Sequence, residues 1–172
     1  MGHLIRYADD AVVLCRTEAQ AREALWRVGV ILNRLKLTLH PTKTQIGYVG
    51  DGRQGFDLLG VHCRKVESWK YRGKRYLQRW PSRRAMQRVR DRIKAITAPR
   101  HQLPEPVGPI VAEVNQALRH WAAYFRVGNS ARKFHQVDGY VRERLALFVS
   151  KKAGRHGRQR RERRGERPRK AV

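Results

Sequence analysis

The chain has 172 residues, of which 41% are hydrophobic, so it is long enough for one ordinary domain or two small ones and too apolar for wholesale disorder. Its 39 Lys and Arg residues outnumber 14 Asp and Glu residues, and the resulting formal charge of +25 predicts an anionic partner, with nucleic-acid phosphate as the first candidate. A membrane surface is the competing polyanion, but no apolar run approaches the roughly 18 residues that a membrane-spanning helix needs.

The first predicted element is an apolar hairpin with an acidic turn. Residues 3–15 form two short apolar segments on either side of the tetrapeptide YADD at 7–10. Adjacent carboxylates repel each other, and a divalent cation such as Mg2+, which prefers carboxylate oxygens, removes that cost. The alternative is an ordinary surface turn, because Asp is a common turn residue. The sequence enters this hairpin almost at its first residue, so we expect the C-terminal part of a longer protein.

A helix is predicted after the hairpin, because Thr17 and Gln20 have the spacing of a capping box. Its apolar face is formed by Ala21, Leu25, Val28, Leu32 and Leu35. The segments that follow are predicted as a strand at 37–39, a turn at 40–44, a strand at 56–61 and a hairpin at 71–76 around Gly73. Cys15 and Cys63 lack a metal-binding spacing, so we expect buried thiols in a reducing compartment.

The second half of the chain predicts three helices. The first begins after Ser82, the second follows a proline-rich loop, and the third follows Gly128. Their apolar faces are Met86, Val89, Ile93 and Ile96 in the first helix, Val111, Val114, Leu118, Trp121, Ala122 and Phe125 in the second, and Phe134, Val137, Val141, Leu145 and Phe148 in the third. Residues 151–172 contain eleven Lys and Arg and two Glu, a net charge of +9, and predict a disordered basic tail.

Four ordered motifs in these segments resemble the reverse transcriptases encoded by group II introns. Residues 6–10 are RYADD, 41–44 are PTKT, 56–60 are FDLLG and 114–125 are VNQALRHWAAYF, with His120 where the family usually has Gly. The resemblance covers about residues 3–150. It implies an α+β fold, with the incomplete end of a polymerase palm at 1–80, a three-helix thumb or maturase-specific domain at 81–150, and the basic tail at 151–172.

The resemblance also assigns site residues in the palm segment. It implies that Asp9 is a ligand of catalytic Mg2+, that Asp10 supports the same metal site, and that Tyr7 and Ala8 lie beside the primer end. Lys43 corresponds to a lysine near the phosphates of the incoming nucleotide, where its charge assists the leaving group; the alternative is an ordinary surface lysine. Gly60 corresponds to a position in the family's primer-grip strand, where a glycine permits close approach of nucleic acid.

Basic side chains of the helical segment are the predicted RNA contacts. Without its tail the chain still has a net charge of +16, which solubility alone explains poorly. The candidates are Arg83, Arg84, Arg88, Arg119, Arg132, Lys133, Arg142 and Arg144. The alternative is a solvated helix surface. For Trp121, Tyr124 and Phe125, helix packing is favoured over stacking on RNA bases.

One requirement of the family's active site has no counterpart in this sequence. Relatives use a further metal-binding Asp from an upstream palm strand, and no carboxylate precedes Asp9 here. We therefore expect a part of a group II intron RNA-directed DNA polymerase/maturase that binds intron RNA and does not polymerise alone. The alternative is a non-catalytic RNA-binding splicing helper. The expected partners are intron RNA, an RNA/DNA hybrid, a deoxynucleotide and a separate N-terminal half; the expected location is the bacterial cytoplasm, with an organelle as the alternative.

Overall fold

In the computed structural model, residues 2–163 are described, with side chains described for 2–154. The fold is α+β, as the sequence predicts, with two small antiparallel sheets and four α-helices in this part of the chain. The chain divides into two compact units, Met1–Ser82 and Arg83–Val172.

The first unit begins with the predicted hairpin and helix. Strands β1 (His3–Tyr7) and β2 (Asp10–Leu14) pair in antiparallel register, with Tyr7 opposite Asp10. Helix α1 (Glu18–Arg34) follows, and its N-terminus has the predicted cap: Thr17 Oγ1 accepts a hydrogen bond from the Gln20 amide at 3.3 Å, and the Gln20 side chain accepts one from the Arg16 amide. These bonds satisfy amides that the first helical turn leaves without partners.

A three-stranded sheet completes the first unit, and here the structure corrects two sequence predictions. Strands β3 (Gly55–Leu58), β4 (Val61–Glu67) and β5 (Arg75–Pro81) pair in sequence order. The strand predicted at 56–61 is therefore two strands, because Leu59 and Gly60 form a turn between them. The strand predicted at 37–39 is irregular. The predicted hairpin around Gly73 is present as the β4–β5 hairpin, with longer arms than expected.

The second unit is a three-helix arrangement with its own apolar core. Helix α2 (Arg83–Thr97) packs against both α3 (Val107–Phe125) and α4 (Ala131–Arg163), and a single 3-10 turn (Arg100–Gln102) precedes α3. The core consists of Met86, Val89, Ile93, Ile96, Ile110, Val114, Val137, Val141 and Phe148. These residues include all four apolar residues predicted for the first helix, and every helix of the unit contributes to the core.

Helix α4 continues beyond the end predicted for it. Its backbone is helical through Arg163, so residues 151–163 of the predicted disordered tail are helical, while 164–172 lie outside the described residues. Lys152 supports this extension, because its Nζ donates to the carbonyl oxygens of Leu103, Pro104 and Glu105 in the loop before α3. Among the described residues, no helix is both long enough and apolar enough to cross a membrane.

Candidate nucleic-acid interface and acidic hairpin

The acidic turn is a tight two-residue connection between β1 and β2. Ala8 and Asp9 occupy the turn. Ala8 has a φ of +53°, in the left-handed region that residues other than glycine rarely adopt. The Arg6 side chain stabilises this conformation, since its Nε donates to the Ala8 carbonyl oxygen at 2.8 Å. The hairpin therefore holds the YADD tetrapeptide in one defined and strained conformation.

Both carboxylates of this turn are exposed. Asp9 and Asp10 offer hard oxygen donors of the kind that Mg2+ binds, and Mg2+ commonly takes one or two carboxylates together with substrate phosphates and waters. Within the part of the chain that the structure describes, however, no group of three or more His, Cys, Asp or Glu side chains lies together as a metal site. The aspartate pair thus fits part of a magnesium ligand set and does not complete one.

Lys43 lies in the turn that follows α1 and is exposed. Its amide and that of Thr44 both donate to the His40 carbonyl oxygen, at 3.2 and 3.0 Å. Between residues 2 and 154, no hydrogen bond or ion pair links the Lys43 side chain to Asp9 or Asp10. Its role near nucleotide phosphates stays a prediction.

Gly60 is required by the turn between β3 and β4. Leu59 and Gly60 have φ angles of +52° and +77°, the pattern of a tight hairpin turn with both central residues in the left-handed region. The Gly60 carbonyl oxygen also accepts a hydrogen bond from the Ser82 amide at 2.8 Å. The turn alone accounts for glycine at this position, and the proximity of Gly60 to a primer stays a prediction.

The hairpin and α1 expose apolar surface that sequence reasoning assigned to a core. No residue of α1 is buried, and both strands of the hairpin are exposed or at most half-buried. The exposed large apolar side chains are Leu4, Ile5, Tyr7 and Leu14 on the hairpin and Leu25, Trp26, Ile31 and Leu35 from α1. Ala21, Val28 and Leu32 of the predicted apolar face are half-buried, so the described residues cover that face in part and leave other apolar side chains of α1 exposed.

Most of the predicted RNA contacts in the helical unit lie on its exterior. Three of them are on α2, one is on α3, and the others are on α4. The exposed positions are Arg83, Arg84, Arg88, Arg119, Arg132 and Arg142, whereas Lys133 is half-buried. Arg142 Nε donates to the Asp138 carbonyl oxygen of its own helix. The exposed guanidinium groups are available to phosphates.

Arg144 differs from the other predicted contacts. It is half-buried, and its Nε donates at 3.1 Å to Thr97 Oγ1, which in turn donates to the Ile93 carbonyl oxygen. This chain of hydrogen bonds links α4 to the last turn of α2. The geometry gives Arg144 a role in helix packing, which the sequence could not indicate because the two partners are far apart in the chain.

The three aromatic residues Trp121, Tyr124 and Phe125 of α3 differ in their burial. Phe125 is buried, and the Trp121 ring contacts both Phe125 and Phe134, each at a centroid distance of 5.2 Å. Tyr124 is exposed and meets Phe125 edge to face at 4.7 Å. Helix packing therefore accounts for Trp121 and Phe125, the interpretation that the sequence favoured.

A groove between α2 and α4 was not visible in the sequence. It encloses about 480 Å³ and is lined by Arg90, His135, Gln136, Gly139, Tyr140 and Glu143. The Arg90 guanidinium lies over the Tyr140 ring, 5.9 Å from its centroid, and Arg90 Nε is buried without a hydrogen-bond partner. An arginine stacked on an aromatic ring is a donor held in place for an anionic or aromatic group.

Each of the two units contains a segment that matches a known family model. Residues 2–72 match the family model described as "Reverse transcriptase (RNA-dependent DNA polymerase)". Residues 86–166 match the family model described as "Group II intron, maturase-specific domain". No curated protein matches the chain significantly. The two matches occur in the order that the sequence motifs predict.

Proposed function

The chain belongs to the group II intron reverse transcriptase/maturase family, and from that premise we propose that it is an RNA-binding part of such an enzyme that does not polymerise by itself. Intron RNA is the proposed ligand. An RNA/DNA hybrid and a deoxynucleotide are the further partners that the polymerase family implies. The proposed place of action is the bacterial cytoplasm, with an organelle as the alternative.

One observation supports RNA binding more than any other: the helical unit has its own apolar core and exposes most of its arginines. Nine buried apolar residues from three helices form that core, so the fold does not need the exterior cations for packing. Arg83, Arg84 and Arg88 are exposed on the same helix whose other side is buried. Guanidinium groups on a folded surface bind phosphates with little ordering cost.

The acidic hairpin supports an incomplete polymerase site. Asp9 and Asp10 would hold Mg2+, which in this family's chemistry stabilises the attacking and leaving oxygens of phosphoryl transfer. The described residues gather no metal-binding group of three or more carboxylate, imidazole or thiol side chains, and much apolar surface of the hairpin and α1 is exposed. We infer that another protein segment, the predicted N-terminal half, covers these surfaces and supplies the remaining ligand.

A non-catalytic splicing helper is the second candidate function. The contrast between a closed helical core and an uncovered hairpin favours it, because the helical unit can act on RNA without a working palm. The two candidates differ in their dependence on Asp9. Catalysis requires this carboxylate, whereas RNA binding by the helical unit does not.

The test is RNA binding by the full chain over a salt series. A structured intron RNA is titrated with the parent chain and with a triple variant, Arg83→Gln, Arg84→Gln and Arg88→Gln. We expect the triple variant to flatten the slope of log K against log salt by about 0.7–0.9 for each phosphate that its side chains no longer bind. A matched control removes three exposed arginines of the first unit, Arg16, Arg34 and Arg53, and should change the slope less. Equal slopes for both variants would contradict an interface on α2.

A further inference from the structure

The loop that joins β4 to β5 presents two aromatic rings to solvent. This tip loop comprises residues 68–74, with the sequence SWKYRGK. Trp69 is 91% exposed and Tyr71 is 55% exposed, although indole and phenol rings are the side chains that gain most from burial. Residues 68–72 of the loop, with both rings, are the last residues of the segment that matches the reverse transcriptase model, and residues 73 and 74 follow that segment.

The backbone of the tip loop is ordered by its own hydrogen bonds. The Ser68 amide donates to the Lys74 carbonyl oxygen at 2.8 Å, and the Tyr71 amide donates to Ser68 Oγ at 3.1 Å. The Gly73 amide donates to Glu67 Oε1 at 3.0 Å, and Gly73 has the positive φ of +79° that the turn needs. The exposed rings are therefore presented by a preformed loop, which reduces the entropy lost on binding a ligand.

Cations flank the Tyr71 ring. The ammonium groups of Lys70 and Lys74 each lie 5.5 Å from the centroid of the Tyr71 ring, and Arg72 is exposed beside them. The tip loop itself contains no acidic residue, and the adjacent Glu67 is already engaged by the Gly73 amide. In the described part of the chain, no ring or cation lies over Trp69. One loop thus combines an open indole face with fixed positive charge.

We propose that the tip loop binds an unpaired stretch of RNA, with one base stacked on the Trp69 ring and the neighbouring phosphates on Lys70, Arg72 and Lys74. A flat aromatic ring beside cations is how proteins hold single-stranded nucleic acid, because every base has a face to stack and every phosphate a charge. Paired bases cannot reach the indole, so the loop selects unpaired RNA. The proposal rests on the proposed function insofar as the polyanion is RNA.

An anionic membrane is the less favoured ligand for the tip loop. Aromatic residues that insert into a bilayer interface stand with other apolar side chains, whereas here Trp69 and Tyr71 are each followed directly by a cation. Alternation of rings and charges along the loop suits a strand in which bases and phosphates also alternate. Vesicles serve as an arm of the test.

The experiment measures binding of the full chain to single-stranded oligouridylate and to the same strand paired with oligoadenylate. Trp69→Ala should weaken binding to the single strand about 5- to 100-fold and leave duplex binding within about twofold. Trp69→Phe, which keeps a stacking ring, should restore most of the affinity. Trp26→Ala is the matched control, since Trp26 is also exposed, at 67%, and lies outside the tip loop. Lys70→Gln with Lys74→Gln should flatten the salt slope for the single strand by about 1.4.

The outcomes separate this proposal from the proposed function. Stacking on the tip loop is refuted if the Trp69→Ala variant binds the single strand as tightly as the parent does, or if its affinities for the single strand and the duplex fall equally. In either case the α2 arginine variants still report on the general RNA interface. If the α2 variants bind intron RNA less tightly and Trp69→Ala selectively weakens oligouridylate binding, both hold. Trp69-dependent binding to phosphatidylserine vesicles without oligouridylate binding would overturn the proposal in favour of a membrane.

Discussion

Lys152 offers the sharpest test of how the helical unit is held together. Its Nζ lies 3.2 Å from the Leu103 carbonyl oxygen, 3.3 Å from that of Pro104 and 2.5 Å from that of Glu105. These three acceptors belong to the loop between α2 and α3, so one ammonium group fixes that loop to the C-terminal half of α4. Lys152→Met keeps most of the aliphatic side chain and removes only the charged donor.

The expected destabilisation can be estimated from the three bonds. A hydrogen bond that involves a charged group contributes about 1.5–3 kcal/mol, but two of the three carbonyls here are exposed and remain solvated after the substitution. We therefore expect Lys152→Met to destabilise the helical unit by about 1.5 kcal/mol. At roughly 4 °C per kcal/mol for a domain of this size, the Tm should fall by about 6 °C.

Thermal unfolding of the full chain, followed by far-ultraviolet circular dichroism, measures this effect. Lys151→Met is the matched control, because it removes the same charge from the same helix at an exposed position. The control should change the Tm by less than about 2 °C, the range of ordinary surface substitutions. Equal shifts for the two variants would refute the account, since the effect would then come from net charge and not from the loop bonds.

Three further predictions concern single residues. Ala8→Gly relieves a positive φ and should stabilise the β1–β2 hairpin by about 1 kcal/mol, seen as roughly fivefold slower amide exchange in residues 3–14; unchanged exchange would contradict strain at Ala8. Gly139→Ala, in a helix interior where an added Cβ meets nothing within 4 Å, should raise the unfolding free energy of the helical unit by about 1 kcal/mol, and a decrease in stability would refute it. Burial raises the pKa of the Cys63 thiol. In a Cys15→Ser background, Cys63 should therefore react with a thiol reagent more slowly than a free cysteine does at neutral pH, and the stability of the protein should fall as alkaline pH forms the thiolate. Reaction at the rate of a free thiol would contradict this.

Local sequence signals predicted the regular parts of the fold. The capping pair Thr17 and Gln20 indicated the start of α1, and helical periodicity identified the buried faces of α2 and α4. In α3 it identified Val114 and Phe125 and missed the buried Ile110. These predictions succeed because a cap and an amphipathic face depend on residues within a few positions of each other. The YADD turn was found for the same reason, since its four residues are contiguous.

The misplaced elements have identifiable physical causes. Leu59 adopts a left-handed conformation that leucine rarely takes, so Gly60 was the one local signal of the turn that divides the segment 56–61, and it was interpreted as a glycine within a single strand. The extension of α4 depends on Lys152 and a loop almost fifty residues earlier, and the role of Arg144 depends on Thr97 at similar separation. Contacts at such separation have no local signature, and a single basic residue looks the same whether it binds RNA or a carbonyl group.

The same contrast between local sequence signals and contacts of distant residues applies to the acidic hairpin. The resemblance to group II intron reverse transcriptases implies that Asp9 and Asp10 bind Mg2+ and that a further ligand is needed, and both stay predictions. Whether other parts of the chain would gather around Asp9 and Asp10 is a matter of tertiary structure, and among the described residues none does so as a metal cluster.

The most direct test of the central claim measures RNA binding and primer extension on the same samples of purified chain, with Mg2+ and deoxynucleotides, for the parent and Asp9→Ala. The account predicts salt-dependent binding to intron RNA that is unchanged by Asp9→Ala and no extension by either protein. Template-directed extension by the parent that Asp9→Ala abolishes would contradict it, because the chain would then complete a metal site that its described residues do not form.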